Sequence, residues 1–77
     1  MENIDFELYK VFYYVAKNKN LSKAANDLFI SQPAVSQSLK KLEEELGIKL
    51  FYRTKTGMNL TDDGEVLFNY LKKKDIL

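Results

Sequence analysis

The stretch that decides the fold is residues 20–47, NLSKAANDLFISQPAVSQSLKKLEEELG. Two periodic segments lie inside it, separated by Phe29, Ile30 and Ser31. The first carries Ala24, Ala25 and Leu28 behind Asn20 or Ser22, either of which offers a side-chain oxygen to the free N–H groups of a helix start. Paired alanines let another helix cross closely. The second segment begins at Ser31, again a capping residue, with Pro33 in the first turn where a missing N–H costs nothing. Val35, Leu39, Leu42 and Leu46 follow at spacings of four, three and four, which predicts a helix over about 32–46 with these four residues as its buried stripe. Gly47 supplies a left-handed stop.

Working outward, Leu8, Val11, Phe12 and Val15 fall at i, i+3, i+4 and i+7 and predict a helix from about Asp5 to Asn18. Tyr9, Tyr13 and Ala16 widen its apolar face. An aromatic-rich helix can serve as a stacking platform for bases, but a core helix with tyrosine hydroxyls at its rim is the simpler reading. After Gly47 the period changes. Leu50-Phe51-Tyr52-Arg53 has strand content, Lys55-Thr56-Gly57 reads as a turn, and Met58-Asn59-Leu60 alternates, so a small hairpin is expected. Thr61 then caps a last helix whose first turn holds Asp62, Asp63 and Glu65, acids that suit the positive end of a helix. Val66, Leu67, Tyr70 and Leu71 form its apolar stripe.

Helix, short helix, three-residue turn, longer helix, hairpin and final helix give a mainly α fold, the winged helix-turn-helix. It has a three-helix core, a small β-hairpin wing and a C-terminal linker helix. Residues 1–61 are expected to form the compact unit and 62–77 to begin the linker helix.

Composition narrows the function. Seventy-seven residues, 45% hydrophobic and 30% charged, suit one small folded domain. There is neither cysteine nor histidine, which removes disulfides, thiolate and imidazole catalysis, and cysteine- or histidine-based metal sites. The consecutive Glu43, Glu44 and Glu45 fan around a helix instead of converging, so no enzyme, metal or cofactor is expected. No apolar run approaches the ~18 residues of a membrane span, and Met1-Glu2-Asn3 does not begin a signal peptide. A cytoplasmic protein without a membrane partner is expected. The net charge of +1 hides a division. Residues 1–16 hold Lys10 against Glu2, Asp5 and Glu7. Residues 17–61 hold seven lysines and Arg53 against Asp27 and the three glutamates. Residues 62–77 hold three lysines against four acids. A basic middle between acidic flanks suits a polyanion on one face, although a solvated surface of mixed charge has the same totals.

With Val35, Leu39, Leu42 and Leu46 facing inward, the opposite side of that helix must carry Gln32, Pro33, Ser36, Gln37 and Lys40. None is acidic. Glutamine can pair with an adenine edge, serine with either kind of base, and Pro33 can touch a thymine methyl in the major groove. The acidic triplet comes only two turns later, where phosphate would repel it, so the first half of the helix is the part expected to enter the groove. Lys40 and Lys41 are expected at phosphates, unless they are merely solvated. In the hairpin, Arg53 and Lys55 are expected along the DNA backbone or at the minor groove; Arg53 paired with a carboxylate of its own domain is the alternative.

Several blocks together resemble LysR-type transcriptional regulators. They are Leu21-Ser22-Lys23-Ala24-Ala25, Ile30-Ser31-Gln32-Pro33-Ala34-Val35-Ser36, Leu42-Glu43 with Leu46-Gly47, Leu50-Phe51-Tyr52-Arg53, and Leu60-Thr61-Asp62-Asp63-Gly64. The resemblance runs in register from about Phe6 to Tyr70. It implies an N-terminal DNA-binding domain, with base or groove contacts from Gln32, Pro33, Ser36 and Gln37 and backbone contacts from Ser22, Ser31 and Arg53. It also implies a homodimer on double-stranded DNA, paired through the last helix by Val66, Leu67, Tyr70 and Leu71. Ser38, Thr56 and Asp63 depart from the family pattern, and Thr56 removes a second basic wing residue. Phe29 stands where smaller or polar residues are commoner and is a candidate packing residue. Such regulators continue into an effector-sensing domain, and no small-molecule effector site is expected in this stretch. The competing class is a winged helix that binds another protein through its aromatic first helix or its last helix, without DNA specificity.

Overall fold

Asp5 opens the first helix by accepting the Glu7 N–H at 3.0 Å, and the chain runs helically as α1, Phe6–Asn18. The computed structural model describes residues 5–74. Lys19 ends α1 in the left-handed region (φ 55°), its N–H reaching the Val15 carbonyl at 2.7 Å. Asn20, not Ser22, then caps α2, Leu21–Leu28, by accepting the Lys23 N–H at 2.8 Å. Ser31 caps α3, Gln32–Leu46, and Gly47 closes it at φ 73°. The hairpin consists of β1, Phe51–Thr54, and β2, Gly57–Leu60, paired antiparallel so that Phe51 faces Leu60 and Thr54 faces Gly57. Its turn is therefore Lys55-Thr56, one residue shorter than expected. The last helix, α4, spans Asp62–Lys74, and Thr61 caps it by accepting the Gly64 N–H at 3.0 Å. The expected extension to residue 77 lies outside the described residues.

The core forms where α1, α2 and α3 cross. Leu8, Val11, Phe12, Val15 and Ala16 of α1 meet Leu21, Ala24 and Ala25 of α2 and Val35, Leu39 and Leu42 of α3. Leu50, Phe51 and Leu71 close it from the hairpin and α4. Phe12 and Phe51 stack at 5.3 Å between centroids. Each buried leucine or phenylalanine contributes roughly 1.5–3 kcal/mol of transfer free energy. Leu46, expected in the buried stripe, is only half-buried. It sits in the last turn of α3 and packs against the rim of the core.

Phe29 is the clearest departure. It does not pack: it is 94% exposed, and it terminates α2 in the left-handed region at φ 59°. Its N–H reaches the Ala25 and Asn26 carbonyls, and the Ile30 N–H reaches Ala25 at 3.1 Å. The tight turn between α2 and α3 needs that backbone conformation, which glycine adopts without strain and a β-carbon resists.

A second knot joins α3 to everything downstream. The Glu43 carboxylate accepts the Leu50 N–H at 2.7 Å and the Phe51 N–H at 3.3 Å. Glu43 is thus not a solvated member of an acidic triplet; its side chain is 15% exposed, and Lys49 lies 3.7 Å away, itself 82% exposed. The Leu50 carbonyl accepts the Thr61 N–H at 3.0 Å, and Thr61 Oγ1 donates to the Lys49 carbonyl at 2.6 Å. Gly64 passes so close to the Leu50 carbonyl that a β-carbon there would overlap it.

Two substitutions check this account by urea unfolding. Glu43→Ala leaves two N–H groups in a partly buried joint without their acceptor and is expected to cost about 1–3 kcal/mol, whereas Glu44→Ala and Glu45→Ala stay within about 0.5 kcal/mol of the parent. Equal effects at all three positions would contradict the knot. Phe29→Gly relieves the left-handed strain and is expected to stabilise the fold by about 1 kcal/mol; a loss of stability would mean that the phenyl ring packs.

Candidate nucleic-acid interface

The face of α3 opposite its buried stripe is open. Gln32, Pro33, Ser36, Gln37, Lys40 and Lys41 are all exposed, while Val35, Leu39 and Leu42 are buried. Gln32, Ser36 and Lys40 follow at i, i+4 and i+8, and Pro33, Gln37 and Lys41 form the neighbouring row, so the two rows make one continuous surface. The first two turns present neutral donors and acceptors, the third presents ammonium groups, and Glu44 ends the row. Ser38, at a position where the family pattern departs, is half-buried and turned from the centre of this surface.

Ser31 is exposed, but its hydroxyl oxygen already accepts the Ala34 N–H at 3.2 Å. That leaves its O–H as the group available to an outside acceptor. Ser22 is exposed in the first turn of α2, where the positive end of the helix favours an anion. Ser22 also has no capping duty to compete with an outside contact.

Arg53 and Lys55 lie exposed on the hairpin. Among the described residues neither forms an ion pair, the one pair found being Lys49–Glu43, so no carboxylate partner for Arg53 is found among them. Thr56 has a structural task. Its hydroxyl lies 2.9 Å from that of Thr54, which also accepts the Thr56 N–H at 3.3 Å and Asn59 Nδ2 at 2.7 Å. The wing turn is therefore stiffened by its own neutral side chains, and the two cations project from a fixed frame.

On α4 the expected stripe divides. Leu71 is buried in the domain's own core and Leu67 is half-buried, whereas Val66 and Tyr70 are 70% and 55% exposed. Phe68, which the stripe omitted, packs 5.2 Å from Tyr13 between ring centroids; its spacing of three from Leu71 was the available signal. Val66, Leu67, Tyr70 and Leu71 line an apolar groove of about 550 Å³ with Phe6, Tyr9, Leu46 and Ile48. Burial, and secondarily the charge of Glu45, push the Tyr9 hydroxyl above the ordinary phenol range, and Asp63 places a carboxylate on the groove wall. Among the described residues no three acidic side chains converge as a metal site would require, and no helix is long and apolar enough to cross a membrane.

Residues 6–65 match the family described as bacterial regulatory helix-turn-helix protein, lysR family. The chain is 44% identical over 62 residues to the HTH-type transcriptional regulator BlaA of Proteus vulgaris, covering 80% of this chain and 21% of that protein. It is 44% identical over 59 residues to BudR of Klebsiella aerogenes, covering 77% of this chain and 41% of that one. The chain thus spans well under half the length of these relatives. In three dimensions it superposes on the DNA-binding domain of CbnR solved in complex with DNA, with a TM-score of 0.85 at 31% identity, covering 92% of this chain and 82% of that one. It superposes equally on the BenM DNA-binding domain bound to catB site 1 DNA, with a TM-score of 0.87 at 32% identity, covering 92% and 79%. With the sequence match, the helix-turn-helix and the wing all in agreement, the chain belongs to the LysR family of bacterial regulatory helix-turn-helix proteins.

Proposed function

We propose that this chain is the sequence-reading DNA-binding domain of a bacterial transcription regulator and works in the cytoplasm on double-stranded DNA. The observation that carries the reading is the exposed face of α3. Its N-terminal half offers Gln32, Pro33, Ser36 and Gln37 with no carboxylate among them, and every one of them is exposed. In the major groove, Gln32 and Gln37 have the geometry to bond purine edges, Ser36 bonds either kind of base, and Pro33 meets thymine methyls. Phosphates are held by Lys40, Lys41, Arg53, Lys55, the Ser31 hydroxyl and the α2 start at Ser22, which set register and supply most of the affinity. The crystal structures of CbnR and BenM domains with DNA support this reading over a protein-binding winged helix.

The domain is further proposed to act as a homodimer, residues 1–61 reading DNA and α4 beginning the segment that pairs the copies. Val66 and Tyr70 project from α4, and Phe6 and Ile48 are also exposed at the groove they share. An apolar surface of this kind on a small domain marks a contact site. Leu67 forms part of the groove wall, and Leu71 supports it from within the domain's own core.

Anisotropy titrations with a duplex selected from a random pool, against an unrelated duplex, test the assignment of roles. Gln32→Ala and Ser36→Ala are expected to lose about 1–3 kcal/mol on the selected site and little on the other. Arg53→Ala is expected to weaken both alike and to lower the salt slope by about 1. Identical behaviour of the three variants on the two duplexes would end the assignment. For the dimer, Val66→Glu places a charge on the exposed row of α4 without touching the core; sedimentation should show weaker self-association, and a selected consensus lacking two-fold symmetry would count against pairing.

A further inference from the structure

The hairpin does not stand free of the helical body. The Met58 N–H donates to the Lys19 carbonyl at 3.1 Å, and Gly57, at φ 126°, approaches that carbonyl so closely that a β-carbon would overlap it. The Lys19 N–H is already held by Val15 at 2.7 Å. Both main-chain groups of Lys19 are therefore fixed, one by α1 and one by β2, and only its side chain is loose. That side chain is exposed, and among the described residues it forms no ion pair.

Lys55 stands in the wing turn two residues before Gly57, so contact between Gly57 and Lys19 holds the two lysine Cα atoms within about 12 Å of each other. The residues that flank them in the chain are neutral: Asn18, Asn20, Thr54 and Thr56. Asn18 donates to the Asp27 carboxylate at 3.1 Å, and that carboxylate forms no ion pair with Lys19 among the described residues. Like charges are brought near each other here by a backbone contact that requires glycine, and among the described residues no ion pair offsets either of them. A polyanion with regularly spaced charges relieves that repulsion.

We propose that the turn joining α1 to α2 is itself part of the DNA interface, Lys19 acting with Lys55 as a paired clamp on the phosphate backbone beside the wing. This rests on the DNA-binding reading above and extends it: the wing carries only Arg53 and Lys55 as cations, and the body of the domain contributes the third. Gly57 is the positioning residue that brings the α1–α2 turn to the wing. The clamp is indifferent to sequence, because it meets phosphates alone.

The test is the salt dependence of binding to a random-sequence duplex by the 77-residue chain. Lys19→Asn is the variant of choice, because asparagine tolerates the left-handed backbone at this position, and thermal unfolding confirms that it folds. Lys19→Asn and Lys55→Gln are each expected to lower the slope of log K against log salt by about 1, and the double variant by about 2. Lys19→Arg keeps the slope. Lys72→Gln, with the same net charge but its lysine on α4, leaves it unchanged. A Lys19→Asn slope equal to that of Lys72→Gln overturns the clamp while leaving DNA binding intact. If the parent chain binds no duplex at any salt, the DNA-binding reading falls, and the clamp with it.

Discussion

A single carboxylate organises the geometry of the domain downstream of its three crossed helices. Glu43 turns back from the last turn of α3 to accept the N–H groups of Leu50 and Phe51, where β1 begins and no strand partner is available to them. Unmet, those two donors would together cost about 1–3 kcal/mol in a partly buried joint. Next to them the carbonyls of Lys49 and Leu50 receive Thr61, and Thr61 caps α4. One short segment thus ties α3, the wing and the final helix to common points. The lack of a side chain at Gly64 follows from that convergence, since α4 must start against the Leu50 carbonyl.

The same constraint sorts the three glutamates. They are chemically identical and adjacent, yet Glu43 lies half-buried while Glu44 and Glu45 remain exposed. Helical rotation of about 100° per residue sends each to a different side. Glu43 serves the joint, and Glu44 closes the outward row that begins with Gln32. Burial raises the Tyr9 phenol above its ordinary range, and the charge of Glu45 adds to that shift. An acidic cluster in the sequence is therefore three separate environments in the fold, and Glu44 is the one that continues the outward row of the proposed reading face.

Much of this was legible in the chain. The caps at Ser31 and Thr61, the stop at Gly47, the inward row of Val35, Leu39 and Leu42, and the hairpin all follow from local chemistry, and they determine which side of α3 is exposed. What escaped depends on partners distant in sequence. Phe29 looked like a packing residue because it is large and apolar, but its place is set by the turn, whose backbone must go left-handed whatever side chain it carries. Leu46 matched the period of the stripe, yet it packs at the rim of the core and stays half-open to solvent. The stripe on α4 merged two faces because apolar residues at i, i+1, i+4 and i+5 do not say which half meets α1. Phe68 answers that: its ring against Tyr13 rotates α4 so that Leu71 goes in and Val66 stays out. Nor does local pattern reveal that Lys19 and Gly57 touch, since 38 residues separate them and only the crossing of α1 by β2 brings them together.

These relations make α3 the spacer between the two proposed surfaces. Its first turns carry the reading side chains, and its last residue, Leu46, helps to line the groove beside α4. Fifteen helical residues span about 22 Å, and both ends of α3 are fixed, by the Ser31 cap at one and by the Glu43 joint at the other. In a two-fold dimer paired at the groove, the separation of the two reading helices would then be set by the length and tilt of a rigid rod and not by a flexible connection. Any change that loosened the Glu43 joint would let the rod pivot relative to α4, and discrimination between half-site spacings would fade before affinity for a single half-site did.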